Sequence, residues 1–351
     1  MLVVHMDSGL GNQMLDYVEF LAIQRSNPGK ECYLENLIYE IPRQEGMFSM
    51  WNGYELEKVF GIHIPNIKEK FSEEAWERIL KEVRESSFWK EDWNYSPYIV
   101  GSMEKEGLKL NNLGEGVGHL DSSIQKKQSW RRHQLTRFFQ TTPGYHLKRW
   151  LRLILADKLI ENNKERHRVF REYPDNSFVG HSLAFKYKGF HMEDFDKEIR
   201  ETFVFPPITD EKNREMLSYI KSINAVAIHA RRSDLLFLNG HCYEHGFFRR
   251  SVRYIKKRVV DPVFVFFTDE NSVGWCEENG HIFGLDFQKD QVRFVTWNKG
   301  AESYRDMQLM AECKHNIFTE SSFGFWGAYL NDNPDKITCA PDCTILATNT
   351  F

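Results

Sequence analysis

The chain has 351 residues, enough for about two domains at the usual ~150 residues each. Hydrophobic residues make up 41% and charged residues 27%, an ordinary balance for a water-soluble protein. The 46 Lys and Arg against 50 Asp and Glu leave a formal charge of −4, which argues against a protein built to hold nucleic acid. Aromatic residues reach 14%, which suits stacking on sugars or bases and is equally explained by a large core. The six cysteines (Cys32, Cys242, Cys276, Cys313, Cys339, Cys343) contain no Cys-x-x-Cys, and Cys339 and Cys343 have no second Cys/His pair to complete a zinc site. Free thiols in a reducing compartment are expected. With no signal peptide visible in MLVVHMDSG and no apolar run near the ~20 residues of a membrane span, the expectation is a cytoplasmic protein.

Leu2 to Met6 reads as a short buried strand that breaks at Ser8, Gly9, Gly11 and Asn12. Leu15, Val18, Leu21 and Ala22 then recur at helical spacing until Asn27-Pro28-Gly29, so the chain opens as strand, glycine-rich turn and helix. Between about 30 and 205, only 73–85 and 146–161 read as helices. Pro206-Pro207 stops this region. Met216, Leu217, Ile220 and Ile223 predict a helix, Asn224 to His229 a strand, and Tyr254 and Ile255 part of another helix. VFVFFTDE is a strand ending in Asp269, and Val292 to Trp297 is the next. Ser303 to Cys313 is a helix, Ile317 to Thr319 a short strand, and Ser321 to Leu330 a last helix. Strands alternating with helices predict a parallel sheet covered on both faces, with ligands at the carboxyl ends of its strands. His229 to Asp234, Asp269 and Ser321-Ser322 all fall at such ends, so they can converge although far apart in sequence.

In AIHARRSD an apolar strand delivers four ionisable groups within six residues. His229 and Arg231 are two apart and point the same way from an extended strand end. Arg232 and Asp234 point oppositely or lie in the turn, and read as a structural pair. Arg231 suits an anion, because guanidinium binds phosphate through two parallel hydrogen bonds; an interdomain ion-pair cluster is the competing reading. In ESSFGFWGAYL, Ser321-Ser322 lies where strand gives way to helix. Free N–H groups and the helix dipole make such a place an anion site, or the serine is a simple N-cap. SGLGNQ is a similar turn, but Met14 stands where G-x-G-x-x-G needs its third glycine, and no G-x-x-x-x-G-K-[ST] occurs. The D-x-D at Asp194-Phe195-Asp196 lacks an apolar strand before it and reads as a solvated helix face rather than a cation site.

From Ser122 to Ala156 there is no Asp or Glu, but there are eight Lys and Arg with Trp130, Phe138, Phe139, Tyr145 and Trp150 interleaved. Such a stretch 122–156 can hold nucleic acid or rest peripherally on an anionic membrane, or it is a basic face paired with acidic neighbours.

Three motifs together carry a resemblance. HARRSD resembles the His-x-Arg-Arg-x-Asp motif of α1,2- and α1,6-fucosyltransferases and their O-fucosyltransferase relatives. SGLGNQM is similar to the N-terminal Gly-Leu-Gly-Asn-Gln motif of the α1,2 enzymes, glycosyltransferase family 11, bacterial type. WNKGAESYRDMQLMAECKHNIFTESSFGFWGAYLNDNPDKITCAP resembles that family's C-terminal block. The resemblance implies an α/β, GT-B-like pair of Rossmann-like domains with the donor site in the cleft between them: 1–207 on the acceptor side and 208–351 binding GDP-β-L-fucose. It implies inverting transfer of L-fucose to the 2-hydroxyl of a galactose-terminated oligosaccharide, with no metal and no other cofactor. A lipid-linked acceptor would agree with a cytoplasmic enzyme resting at the inner membrane. Arg231 would hold the β-phosphate and His229 orient the nucleotide. Ser321, Ser322 and the N–H of Phe323 would bind the phosphates. Asp306 would accept hydrogen bonds from guanine N1 and N2, and Asp269 would contact the ribose or base. Asn12, with Gly9 and Gly11, would approach the fucose and β-phosphate. Asp7 is the first choice of base, with His5 and Glu320 also placed for it. The chain departs from its relatives at Ser8, where they often have Gly, at Gly324-Phe325, where they often have Ser-Trp, and at Glu320, a place usually uncharged. Transfer with another linkage (α1,6 or protein O-linked) and non-catalytic GDP-sugar binding stay open as alternatives.

Overall fold

The computed structural model describes residues 1–41, 51–90, 95–114, 130–161, 170–180, 185, 191–230, 236–341 and 346–350. They divide into two compact units. One holds the described residues up to 114 together with 170–180, 185 and 191–204; the other holds 130–161 and the described residues from 205 onward.

The first unit begins with strand β1, Leu2–His5, buried at every position. Helix α1, Leu10–Ser26, buries Met14, Leu15, Val18, Ala22 and Ile23, the spacing of one helical face. It stops at Asn27, whose Nδ2 donates to the Ile23 carbonyl at 2.8 Å before Pro28. β2, Cys32–Glu35, and α2, Leu56–Phe60, follow; Gly61 ends α2 at φ 68. α3, Glu73–Ser86, is capped by Ser72 Oγ accepting from Ala75 N at 3.2 Å, and buries Trp76, Ile79 and Val83. α4, Ser96–Lys105, and β3, Asn111–Asn112, come next. Helices α5, Trp130–Gln140, and α6, Thr142–Glu161, form a hairpin belonging to the second unit. The chain then re-enters the first unit as β4, Ser177–Val179, and α7, Asp196–Thr202. The sheet has order β2-β1-β4-β3, parallel throughout, with Leu2 opposite both Cys32 and Ser177.

The second unit continues with α8, Glu211–Ser222, capped by Asp210 Oδ1 accepting from Asn213 N at 2.8 Å. Strand β5, Asn224–His229, is followed by α9, Leu236–Glu244, and α10, Phe247–Lys256. β6, Pro262–Phe267, leads to α11, Val273–Glu278, and α12, Gly280–Phe283. β7, Val292–Val295, leads to α13, Tyr304–Ala311, and β8, His315–Phe318, to α14, Ser322–Tyr329. β9, Thr338–Ala340, and β10, Asn349–Thr350, finish the described chain. The sheet order is β10-β9-β8-β5-β6-β7, again parallel throughout. Phe247, Phe248, Phe264, Phe266 and Phe283 fill one core cluster, so much of the aromatic content serves packing.

Each unit is thus the α/β layer expected. The basic hairpin corrects the sequence boundary: residues 130–161 fall within 1–207 but pack with the second unit. The Tyr145 ring stacks on His245 with centroids 4.6 Å apart, and Thr142 Oγ1 lies 3.2 Å from His245 Nδ1, contacts that sequence distance hides. Cys32, Cys242, Cys276, Cys313 and Cys339 are free and buried, and Cys343 lies outside the described residues. In the D-x-D segment Asp196 opens α7 and is held by Arg200 Nε at 3.0 Å, as a charged helix face requires. No helix of the described residues is long and apolar enough to cross a membrane.

Candidate functional site

In the second unit β5 lies between β6 and β8. The chain moves to one side for β6 and β7 and to the other for β8 and β9, so the carboxyl ends of β5 and β8 form a topological switch point. His229, at that end of β5, is 7% exposed and pairs in register with Phe267 and Phe318. Its ring centroid is 5.7 Å from that of Phe323, in the first turn of α14. Ser321 caps α14, its Oγ accepting from Gly324 N at 3.5 Å, so the N-cap reading holds for this serine. Ser322 and Phe323 occupy the next positions, where backbone N–H groups have no carbonyl within the helix and the dipole is positive. A Cβ at Gly324 would stand 2.7 Å from His229 Nδ1 and 2.8 Å from Phe318 Cβ. Glycine there lets α14 close onto the end of β5.

Asp269 follows β6 and is exposed. Asp306 lies in the first turn of α13, beyond β7, and accepts a hydrogen bond from Asn298 Nδ2 at 2.7 Å. Asn298 and Trp297 Nε1 both meet Asn213, at 2.8 Å in each case. Desolvation pushes the Asp306 carboxyl up to about 7, against the Asn298 hydrogen bond, and the negative Asp269 adds to the rise. His229, Asp269, Asp306 and the α14 N-terminus thus stand at the carboxyl ends of one sheet. Asn213 and Asn298 were not singled out in the sequence; Asn298 sits just past a strand end, the place such sheets use.

In the first unit β1 lies between β2 and β4, and its carboxyl end is likewise a switch point. His5 is opposite Glu35 in the sheet register, and His5 Nδ1 hydrogen-bonds Glu35 Oε2. His5 Nε2 lies 3.4 Å from Asp7 Oδ2, and Tyr95 stacks on the imidazole at 3.7 Å between centroids. Burial alone would lower the His5 pKa, but Glu35 and Asp7 outweigh it and raise it to about 9, so the ring is an imidazolium. His5 is fully buried, and Glu35 and Asp7 beside it favour its charged form, an environment less suited to a base than that of Asp7. Asp7 is 2% exposed, and the half-buried Ser8 donates from Oγ to its Oδ1 at 2.6 Å. Gly9 begins α1 without a side-chain cap, Gly11 and Asn12 sit in its first turn, and the nearest atom to a Cβ at Gly9 would be Trp51 Cδ1 at 4.0 Å. Gln13 is the staple of this loop: its Nε2 donates to the carbonyls of Ser8 (3.0 Å) and Gly53 (2.9 Å), and its Oε1 accepts from Glu55 N (2.8 Å). Asp16, one turn further, is buried, and burial with Glu19 and Asp7 nearby holds its carboxyl well above the usual range. Sequence reading missed Glu35, Tyr95 and Asp16, and gave Gln13 no role beyond its place in the motif. Glu35 ends a four-residue strand, too short to show a period. Glu320 is partly exposed and 3.8 Å from His241. Arg231, Arg232 and Asp234 lie outside the described residues.

The sequence model of glycosyl transferase family 11 matches residues 130–345. An alpha-1,2-colitosyltransferase of Escherichia coli is 29% identical over 204 residues, 56% of this chain and 65% of that protein. A galactoside alpha-(1,2)-fucosyltransferase 1 of Saimiri sciureus is 34% identical over 110 residues, 30% of this chain and 28% of that protein. The chain therefore spans less than two thirds of either relative. The crystal structure of the fucosyltransferase NodZ from Bradyrhizobium superposes with a TM-score of 0.43 at 13% identity, over 95% of this chain and 96% of that one.

Proposed function

The chain belongs to glycosyl transferase family 11, and from that premise we propose that it is a GT-B-type, inverting, metal-independent transferase that moves L-fucose from GDP-β-L-fucose to the 2-hydroxyl of a terminal galactose. The observation that carries this reading is the grouping of His229, Asp306 and the α14 N-terminus at the carboxyl ends of one parallel sheet. Asp306, as carboxylate, accepts from guanine N1 and N2, a donor pair adenine lacks, and Asp269 meets the ribose or base. Ser321, Ser322 and the Phe323 N–H hold the phosphates, and His229 orients the nucleotide beside Phe323. Arg231 neutralises the β-phosphate oxygen as the glycosidic bond breaks, a role typically worth ~3 kcal/mol. Gly9, Gly11 and Asn12 address the fucosyl group.

The acceptor oxygen attacks C1 from the face opposite the leaving phosphate, and its proton must go to a base. Asp7 fits that role with Ser8 as the relay. The Ser8 hydroxyl takes the acceptor proton as it passes its own to Asp7, while the His5 imidazolium holds Asp7 in place. Asp7→Asn should slow transfer by a factor of ~100 or more with GDP affinity unchanged; unchanged turnover removes Asp7.

A second reading is supported by the colitosyltransferase relative. Colitose is L-fucose without its 3-hydroxyl, so one site can take either donor, and the preference turns on a partner for that hydroxyl. GDP release with a galactoside acceptor, measured in EDTA with each donor for wild type and Arg231→Ala, decides. Acceptor-dependent release in EDTA that Arg231→Ala abolishes supports the reading. Failure of GDP to protect against thermal unfolding counts against it.

A further inference from the structure

In the α5–α6 hairpin, Leu147, Trp150, Leu151, Leu153, Ile154 and Leu155 are each 36–59% exposed. Six large apolar side chains on one helix are normally buried; Leu147, Trp150, Leu151 and Ile154 share one side at helical spacing, and an exposed patch of this kind marks a partner. Lys148 and Arg152 on α6 and Arg137 on α5 are also exposed, and no acid occurs from 122 to 156. Lys148, Arg149, Arg152 and Lys158 interrupt the apolar residues of α6, so the helix does not cross a bilayer. Apolar side chains, a tryptophan and long cationic side chains together suit the boundary between lipid headgroups and acyl chains. We propose that the α5–α6 hairpin docks on the surface of an anionic lipid bilayer, with Trp150 and Ile154 entering the headgroup boundary and Arg137, Lys148 and Arg152 meeting the lipid phosphates.

Charge selects this occupant over a second copy of the chain. A second copy would bring the same exposed Arg137 and Lys148, whereas anionic headgroups complement them. The hairpin is also built to be presented. The two helices meet so closely at Gly144 that a Cβ there would lie 1.9 Å from the Phe138 carbonyl oxygen, and the Tyr145–His245 stack holds the turn end of the hairpin to the rest of the second unit. The proposal is independent of the donor and of the reaction.

The test is co-sedimentation of the full chain with phosphatidylcholine vesicles, with and without phosphatidylglycerol, at low and high salt. Binding should require phosphatidylglycerol and fall steeply with salt. It should drop at least about tenfold in the double variant Lys148→Glu/Arg152→Glu, and comparably in Trp150→Ser/Ile154→Ser. These side chains are exposed, so unchanged melting midpoints will verify the fold; if a variant fails to fold, the wild-type salt and lipid dependence decides. Equal binding to neutral vesicles, no binding at low salt, or undiminished binding by the charge-reversed variant overturns the proposal. So does a wild-type dimer that Trp150→Ser/Ile154→Ser converts to monomer while lipid binding is unaffected.

Discussion

Ser8 has φ 71, in the left-handed region where a side chain costs roughly 1 kcal/mol or more and glycine costs nothing. Relatives often have glycine there; this chain keeps a hydroxyl 2.6 Å from Asp7 Oδ1. Ser8→Gly should leave the melting midpoint nearly unchanged, because relief of strain offsets the lost hydrogen bond, yet slow transfer severalfold; full turnover in Ser8→Gly would exclude the relay. His5 makes a pH prediction of definite sign. Its folded pKa of about 9 exceeds the ordinary 6.5, so its contribution to stability is complete below pH 6.5 and is lost as pH rises through 9. The melting midpoint should therefore fall between pH 6.5 and 9, and His5→Gln should flatten that slope. Asp306 works the other way. In the proposed role only its carboxylate would accept both guanine donors, so GDP affinity should rise about tenfold from pH 6 to pH 8, half-way near 7, by calorimetry. Asp306→Asn should remove that rise together with the preference for guanine.

At the scale of elements, the contact between α14 and β5 makes Gly324 the position to test. Gly324→Ala places a Cβ against the His229 ring, and should weaken GDP binding about tenfold while costing ~1–3 kcal/mol of stability. The elements around this contact were legible in the sequence. β5 and β6 are built on the apolar runs Ala225–Ile228 and Val263–Phe267, α8 shows its helical period, and α14 begins at a serine cap, so their order and the strand-end placement of His229 followed from pattern alone. The resemblance, not the pattern, pointed to Asp306. In the first unit β2, β3 and β4 have four, two and three residues, too few to display a period of two. The pairing of His5 with Glu35 exists only through the register of β1 on β2, so no local reading of either residue finds it. The allegiance of α5 and α6 was equally invisible, because it rests on Thr142 and Tyr145 meeting His245 about a hundred residues later.

At the scale of the molecule, the five described cysteines are buried, and burial pushes the thiol of Cys339 up to about 12. Native protein should therefore react rapidly with a thiol reagent at no more than one cysteine, Cys343, and at all six after denaturation; rapid labelling of two or more would contradict the packing of both sheets. The first unit is also discontinuous: β1 pairs at once with β2 on one side, but its other neighbour is β4, more than 170 residues later, after the chain has passed through the α5–α6 hairpin. A growing polypeptide cannot close that sheet until Ser177–Val179 leaves the ribosome, a wait on the order of ten seconds at ~5–20 residues per second. During that interval the carboxyl end of β1, which carries His5, Asp7 and the glycine-rich turn, has only one finished flank. Nascent chains stalled before residue 177 should therefore be far more sensitive to protease at β1 than the released full-length chain.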